Sequence, residues 1–206
     1  MEKLALVILA AGEAKRMGSP KQLLLYKGMR FIERALKIGK EAFGERICIV
    51  LGAGATVIKD AVPRLGDYIM INNNWQHGMG TSIAFGLQGI LDRYPDSKAV
   101  MFMAVDQPFV SGAHLKNMVS SYQRGEKKII VSTYKDSEGI PALFDEQYFD
   151  LLLQLNTDKG AKDIIRGHQQ DVTGVHLEGG EIDIDTPEQY KAINDQVPDN
   201  KISSPD

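Results

Sequence analysis

The stretch LALVILAAGEAKRMGSPK, residues 4–21, passes from an unbroken apolar run into a loop of small and basic residues, and its reading decides the fold. The eight apolar residues from Leu4 to Ala11 are too few to cross a membrane, which takes about 18 or more. Behind Lys3 they superficially have the basic and apolar regions of a secretion signal. They lead, however, straight into a Gly-rich basic loop, and the single cysteine, Cys48, leaves no internal disulfide to suit export. An apolar run without alternation is instead the pattern of a strand buried on both faces, as in a parallel sheet. The loop after it then sits at the carboxyl end of a strand, where open α/β sheets bind ligands.

Outward from this segment, further apolar runs recur at 47–51, 68–71, 99–105, 128–133 and 171–177. Helical patterns separate them at 31–43, 55–62, 81–92, 113–123, 146–155, 160–166 and 187–194. In the 81–92 segment Ile83, Ala84, Leu87, Ile90 and Leu91 make a buried stripe, while Gly86 and Gly89 allow close approach to a neighbour. Such alternation predicts an α/β fold, a three-layer sandwich with a mostly parallel, Rossmann-like sheet covered on both faces. Residues 23–32 are expected to form a small hairpin or a strand-to-helix turn, and 139–144 an antiparallel strand. Residues 1–195 read as one domain, and 196–206, with two Pro, two Asp and two Ser, as a disordered tail.

A chain of 206 residues with 43% hydrophobic and 25% charged residues is of globular composition. The net charge of −3 and the lack of any basic run longer than two residues argue against a nucleic-acid partner. One cysteine excludes a thiolate zinc cluster and fits a reducing, cytoplasmic setting. Cys48 itself, between Ile47 and Ile49, is expected to be buried and inert, and Met79, Met101, Met103 and Met118 to serve packing.

From Ala10 to Lys21 the cations Lys15, Arg16 and Lys21 oppose only Glu13, a local charge of +2. Ala10, Ala11, Gly12 and Gly18 would let backbone N–H groups approach an anion, while the cations neutralise phosphate oxygens. The loop lacks the Gly-Lys-Ser/Thr ending of a Walker motif. For such a composition a solvated loop is the plainer alternative.

Asp106 ends the 99–105 run, and because Ser111 is better placed to cap the following helix, Asp106 is free to face the cleft. A hard divalent cation takes such an oxygen ligand. Asp183 and Asp185 alternate with Ile182 and Ile184, which puts both on one face of an expected short strand. The cap of the next helix is filled by Thr186-Pro187-Glu188-Gln189. Asp185 is therefore the favoured second metal ligand and Asp183 the alternative. In the 72–82 loop, Asn74, Gly80 and Ser82 offer amide, backbone and hydroxyl groups to ribose hydroxyls or a nucleobase edge, whereas Trp75 and a lone His77 are weaker candidates. Gly52-Ala53-Gly54 fits only two glycines of a dinucleotide fingerprint, although the Gly52 backbone could border a nucleotide.

Residues 9–21 resemble the LxxGxxxRMGxxK signature of the nucleotidyltransferases of the molybdenum-cofactor family, the MobA-like NTP transferases, and match it at every fixed position. Val105-Asp106-Gln107-Pro108 resembles that family's Asp-x-Pro turn, and the 183–187 segment is similar to its Asp-Ile-Asp-Thr-Pro element. Gly78-Met79-Gly80-Thr81-Ser82, Gly139-Ile140-Pro141 and Asp158-Lys159-Gly160-Ala161 resemble three further elements. The resemblance implies a nucleotide-diphospho-sugar transferase type of fold. It also implies that Leu9, Ala10, Ala11 and Gly12 line the base and ribose, that Arg16, Gly18 and Lys21 contact the triphosphate, and that Asp106 and Asp185 hold Mg2+ or Mn2+. Arg16, Lys21 and Asp106 become the catalytic set, and His77, Gln107, Pro141, Lys159 and Gly160 the acceptor side.

Leu-Ala-Ala-Gly at 9–12 is similar to the cytidylyl-transferring branch, and the Ala11 methyl would narrow the pocket in favour of a pyrimidine. The implied reaction is magnesium-dependent transfer of CMP from CTP to the terminal phosphate of molybdopterin, releasing pyrophosphate. A monomer or weak dimer with transient contact to a molybdoenzyme is expected, without a nucleic-acid or membrane partner. Two alternatives stand beside it: a cytidylyl- or uridylyltransferase acting on a sugar or polyol phosphate, and a nucleotide-binding carrier or chaperone that delivers molybdenum cofactor.

Overall fold

Leu4–Ala10 forms the central strand β1, and all seven of its residues are buried. Its side chains part in two directions: Leu4, Leu6, Ile8 and Ala10 enter one core cluster, and Ala5, Val7 and Leu9 the other. A pleated strand alternates faces at every residue, so a strand covered on both sides reads as one continuous apolar run. The structure is a computed structural model, and it describes residues 3–14, 16–125, 127–135 and 137–195. The 196–206 tail and Lys15 lie outside the described residues.

After β1 come a small hairpin, β2 (Leu25–Tyr26) and β3 (Met29–Arg30), then α1 (Phe31–Phe43), β4 (Ile47–Leu51), α2 (Ala55–Ala61), β5 (Ile69–Ile71) and α3 (Met79–Arg93). The chain continues through β6 (Ala99–Ala104), α4 (Gly112–Gln123), β7 (Ile129–Tyr134), β8 (Ser137–Asp145), α5 (Phe149–Leu153), α6 (Lys162–Gly167), β9 (Val172–His176) and α7 (Pro187–Asp195). Seven strands make one sheet in the order β5-β4-β1-β6-β8-β7-β9. Only β8 runs antiparallel to its neighbours in it. α1, α2, α4 and α7 pack into the first core cluster and α3, α5 and α6 into the second, so the expected three-layer α/β sandwich is what the chain forms. Gly86 brings α3 tight against the sheet: a Cβ there would lie 2.5 Å from Val7 Cγ1 and 2.9 Å from Val50 Cγ2.

Local departures from the sequence reading have local causes. The 182–185 segment is not a strand; Ile184 N–H donates to Asp106 O at 3.3 Å, but no ladder extends from that bond. The expected helix at 146–155 divides into a 3-10 turn, Glu146–Tyr148, and α5. The helix expected from 160 begins at Lys162, because Gly160 takes a left-handed φ of 61° that a helix cannot contain. The 139–144 strand is longer than expected, and its register shifts where Pro141 offers no N–H: Val131 faces Ala142 while Ser132 faces Gly139, so Ile140 and Pro141 bulge from the ladder. Among the described residues no helix is long and apolar enough to cross a membrane.

β1 has β4 on one side and β6 on the other, so the strand order reverses there. Both strands end on the same side of the sheet, and a crevice opens at this topological switch point.

Candidate functional site

A cleft of about 350 Å³ occupies that crevice, bounded by residues 9–13 at the end of β1, residues 104–106 at the end of β6, Lys21 and Gln22, Trp75, Gln76 and Gly78 from the β5–α3 connection, and Met79 and Ser82 from the first turn of α3. Leu9, Ala10, Ala11, Gly12, Lys21, Ser82 and Asp106 thus share one cavity. Gln22 fixes the geometry. It is 3% exposed, and its Nε2 donates to Ala10 O at 2.6 Å, pinning the single 3-10 turn Lys21–Leu23 to the end of β1. No motif singled Gln22 out; the only hint was a polar residue leading into three leucines, Leu23 to Leu25.

Asp106 is held by the register of β6, whose continuation donates from Val105 N–H to Leu9 O at 3.1 Å. Asp185 is placed by a helix cap. Gln189 Oε1 accepts from the N–H groups of Thr186 (3.0 Å) and Asp185 (2.8 Å), while Thr186 Oγ1 accepts from Gln189 N–H at 3.3 Å. With the cap satisfied by Thr186 and Gln189, the Asp185 carboxylate turns to the cleft. Ser111 likewise caps α4, accepting from His114 N–H at 3.2 Å, which leaves Asp106 free of that duty.

Lys21 Nζ donates to Asp106 Oδ2 at 3.0 Å and to Asp185 Oδ1, and Arg16 Nη2 donates to Asp185 Oδ2 at 2.6 Å. Burial disfavours the Lys21 ammonium, but the charges and hydrogen bonds of Asp106 and Asp185 outweigh it and raise its pKa. The hydrogen bond from Lys21 holds the Asp185 carboxyl below its ordinary value. Crowding by protein, then the charges of Asp106 and Asp185, push the Asp183 carboxyl up to about 6, although its side chain keeps contact with solvent. Asp106 and Asp185 therefore share a single ammonium, within electrostatic reach of Asp183.

That convergence tests whether the residues suit a divalent cation. Asp106 and Asp185 already direct oxygens at one cationic point, and magnesium commonly takes only one or two carboxylates from a protein. The donor set fits. Among the described residues no group of three or more His, Cys, Asp or Glu is placed to hold a metal ion, so substrate and water oxygens would have to supply most of the coordination.

The remaining candidates fall around this centre. Gly18 borders an adjoining pocket of about 320 Å³ together with Gly12 and Gly54. Gly52 lies under Trp75, and Ala53 N–H donates to Ala11 O at 3.0 Å. Asn74 has an exposed side chain; its N–H donates to Oδ1 of Asn72, whose buried carboxamide also donates to Thr81 Oγ1 (3.0 Å) and Ser82 Oγ (3.1 Å). Asn72, which the sequence reading left without a separate role, is the residue that shapes this loop. Gly80 N–H donates to Thr157 O at 2.8 Å, joining the β5–α3 connection to the segment that carries Lys159 and Gly160.

Gly160 packs on Met79, while Lys159 is exposed and paired with Asp163 at 3.5 Å, and His77 is exposed beside the cleft lining. Gln107 is buried and donates to Ile140 O at 2.9 Å, and Pro141 O accepts from Ser132 Oγ at 2.8 Å. Of the triphosphate and metal candidates, the cavity is lined by Lys21 and Asp106, with Asp185 and Arg16 joined to it through the bonds to Lys21 and Asp185; Gly18, Gln107, Pro141, Lys159 and His77 lie outside its lining. Cys48 is buried, and burial pushes its thiol up to about 12. Met101, Met103 and Met118 are core residues, whereas Met79 is 47% exposed in the cleft wall.

Among known proteins, nicotine blue oxidoreductase of Paenarthrobacter nicotinovorans is 35% identical over 122 residues, 58% of this chain and 57% of the relative. The chain therefore spans little more than half the length of that protein. The purine catabolism protein PucB of Bacillus subtilis is 25% identical over 197 residues, covering 91% of this chain and 94% of PucB. The crystal structure of Rv0371c from Mycobacterium tuberculosis superposes with a TM-score of 0.80 at 26% identity, covering 96% of this chain and all of that one. A second structure of that protein is a complex with manganese, with a TM-score of 0.75 at 25% identity, covering 95% of this chain and 100% of that one. With a family profile matched over residues 6–172, the chain belongs to the MobA-like NTP transferase domain family.

Proposed function

We propose that the protein is a cytoplasmic nucleotidyltransferase that moves CMP from CTP to the terminal phosphate of molybdopterin or molybdenum cofactor and releases pyrophosphate. The observation that carries this reading is the meeting of Lys21 and Asp106, in the cleft that residues 9–12 line at the switch point, with Asp185, which Lys21 also holds. An acceptor phosphate oxygen attacks the α-phosphorus in line, so the protein supplies alignment and charge neutralisation and needs no nucleophile of its own. Arg16 and Lys21 neutralise the leaving pyrophosphate, and residues 9–12 hold base and ribose, with the buried Ala11 methyl favouring a pyrimidine. A divalent ion on Asp106 and Asp185 would add Lewis-acid polarisation of the phosphate oxygens; the manganese complex of the mycobacterial relative supports that expectation.

Pyrophosphate release measured with each of the four ribonucleoside triphosphates, with and without molybdopterin, tests donor and acceptor together. Release with CTP and molybdopterin is expected. Release with GTP instead overturns the base assignment, and release with a sugar or polyol phosphate in place of molybdopterin overturns the acceptor. Nucleotide binding without pyrophosphate release under any of these conditions identifies a carrier.

A further inference from the structure

Trp75 stands in a single 3-10 turn, Trp75–His77, between β5 and α3. The turn is closed by His77 N–H to Asn74 O (3.0 Å) and Gly78 N–H to Trp75 O (3.1 Å). The half-buried indole packs against the second core cluster and at the same time faces the cleft. Its stem rests directly on backbone: a Cβ at Gly52 would lie 2.6 Å from both Cβ and Cγ of Trp75, and 2.7 Å from Ala11 O. Only glycine at position 52 leaves room for this seat, so the ring is fixed from beneath. With Leu9 and Met79 it makes an apolar wall in the same cavity that holds the charged group of Lys21 and Asp106. Such a cavity matches a molecule that is flat and weakly polar at one end and polyanionic at the other.

We propose that Trp75 is the platform on which the heteroaromatic base of the donor nucleotide stacks, an assignment that rests on the nucleotidyl-transfer reading. Stacking on an aromatic face tolerates every base, so Trp75 supplies affinity, and discrimination between bases falls to neighbouring groups such as Ala11. A planar acceptor ring is the other source of the same chemistry. The donor is favoured because residues 9–12 line this cleft, whereas Gln107, Pro141 and Lys159 do not.

Trp75 is the chain's single tryptophan, so its emission reports the site without a label. CTP is expected to change that emission saturably. Trp75→Leu is expected to weaken CTP binding by roughly 5- to 100-fold in calorimetry, Trp75→Phe to retain most of it, and both to bind inorganic tripolyphosphate as the wild type does. Unchanged CTP affinity in Trp75→Leu, or unchanged emission while calorimetry registers CTP binding, overturns the platform and leaves the nucleotidyltransferase reading standing. Emission that responds to a free pterin and not to CTP assigns the ring to the acceptor and overturns the donor assignment. Failure of the wild type to bind any nucleoside triphosphate overturns both readings together.

Discussion

Lys21 Nζ lies 3.0 Å from Asp106 Oδ2 across 85 positions of chain, and the same nitrogen also holds Asp185. A lysine therefore occupies the carboxylate oxygens that a divalent ion would use, and would compete with such an ion for them. A triphosphate offers Lys21 other oxygens, so nucleotide and ion are expected to strengthen each other's binding, reciprocally. Mn2+ titrations followed by electron paramagnetic resonance check this: affinity rises when CTP is added to the wild type, and Lys21→Met binds Mn2+ alone more tightly than the wild type does. Equal Mn2+ affinity in the two proteins without nucleotide excludes the competition. Lys21→Met is also expected to slow pyrophosphate release by about 10²–10³, or roughly 3–4 kcal/mol of barrier, if charge grows on the leaving group beside Lys21.

Asp106→Asn keeps shape and removes charge at a side chain that stands at the cleft and outside the core clusters. The thermal midpoint is expected to stay within about 4 °C of the wild type, since a partly exposed ion pair contributes up to ~1 kcal/mol. Mn2+ binding and metal-dependent turnover are expected to be lost. An unaltered Mn2+ titration rejects the ligand role.

Gly52→Ala places a methyl against Trp75 and Ala11 O. Overpacking of this kind costs about 1–3 kcal/mol, to be read from urea midpoints at constant slope. Because the collision is with the floor of the cleft, CTP affinity is expected to fall in the same variant. Wild-type stability together with wild-type affinity would show that the loop yields freely there.

His114 is buried, with Nε2 2.9 Å from Ser132 Oγ. Burial, then His176, lowers its pKa below the ordinary 6.5. The unfolded chain takes up the proton first, so the neutral ring's contribution is complete above about pH 6.5 and is lost as pH falls from there toward the folded value. His114→Gln is expected to flatten this part of the stability profile and to cost about 1–2 kcal/mol at pH 8, where the bond to Ser132 is missing. Parallel profiles for the two proteins between pH 5 and pH 7 rule out His114 as the source of the slope.

The architecture was legible because burial on two faces writes itself into β1 as a continuous apolar run, and because α3 carries its stripe and close-packing glycines in plain view. Asp106 and Asp185 were legible as carboxylates whose neighbours, Ser111 and Thr186, already served as caps, and Lys21 as a cation of the basic loop and its 9–21 signature. Gln22 and Asn72 were not, since each acts by donating to groups adjacent only in three dimensions. The expected strand at 182–185 failed for the same reason: alternation of Ile and Asp records which side faces the core, and a ladder needs a partner that only the fold can supply. The Ile140–Pro141 bulge also depended on a partner strand, although the proline that causes it was visible.

β6 borders parallel β1 on one flank and antiparallel β8 on the other. Asp106 follows its tip, where the parallel half of the sheet meets the antiparallel strand. Gln107, the next residue, donates to Ile140 O, so a change in the β8 bulge would reach the Asp106 carboxylate through a single side chain.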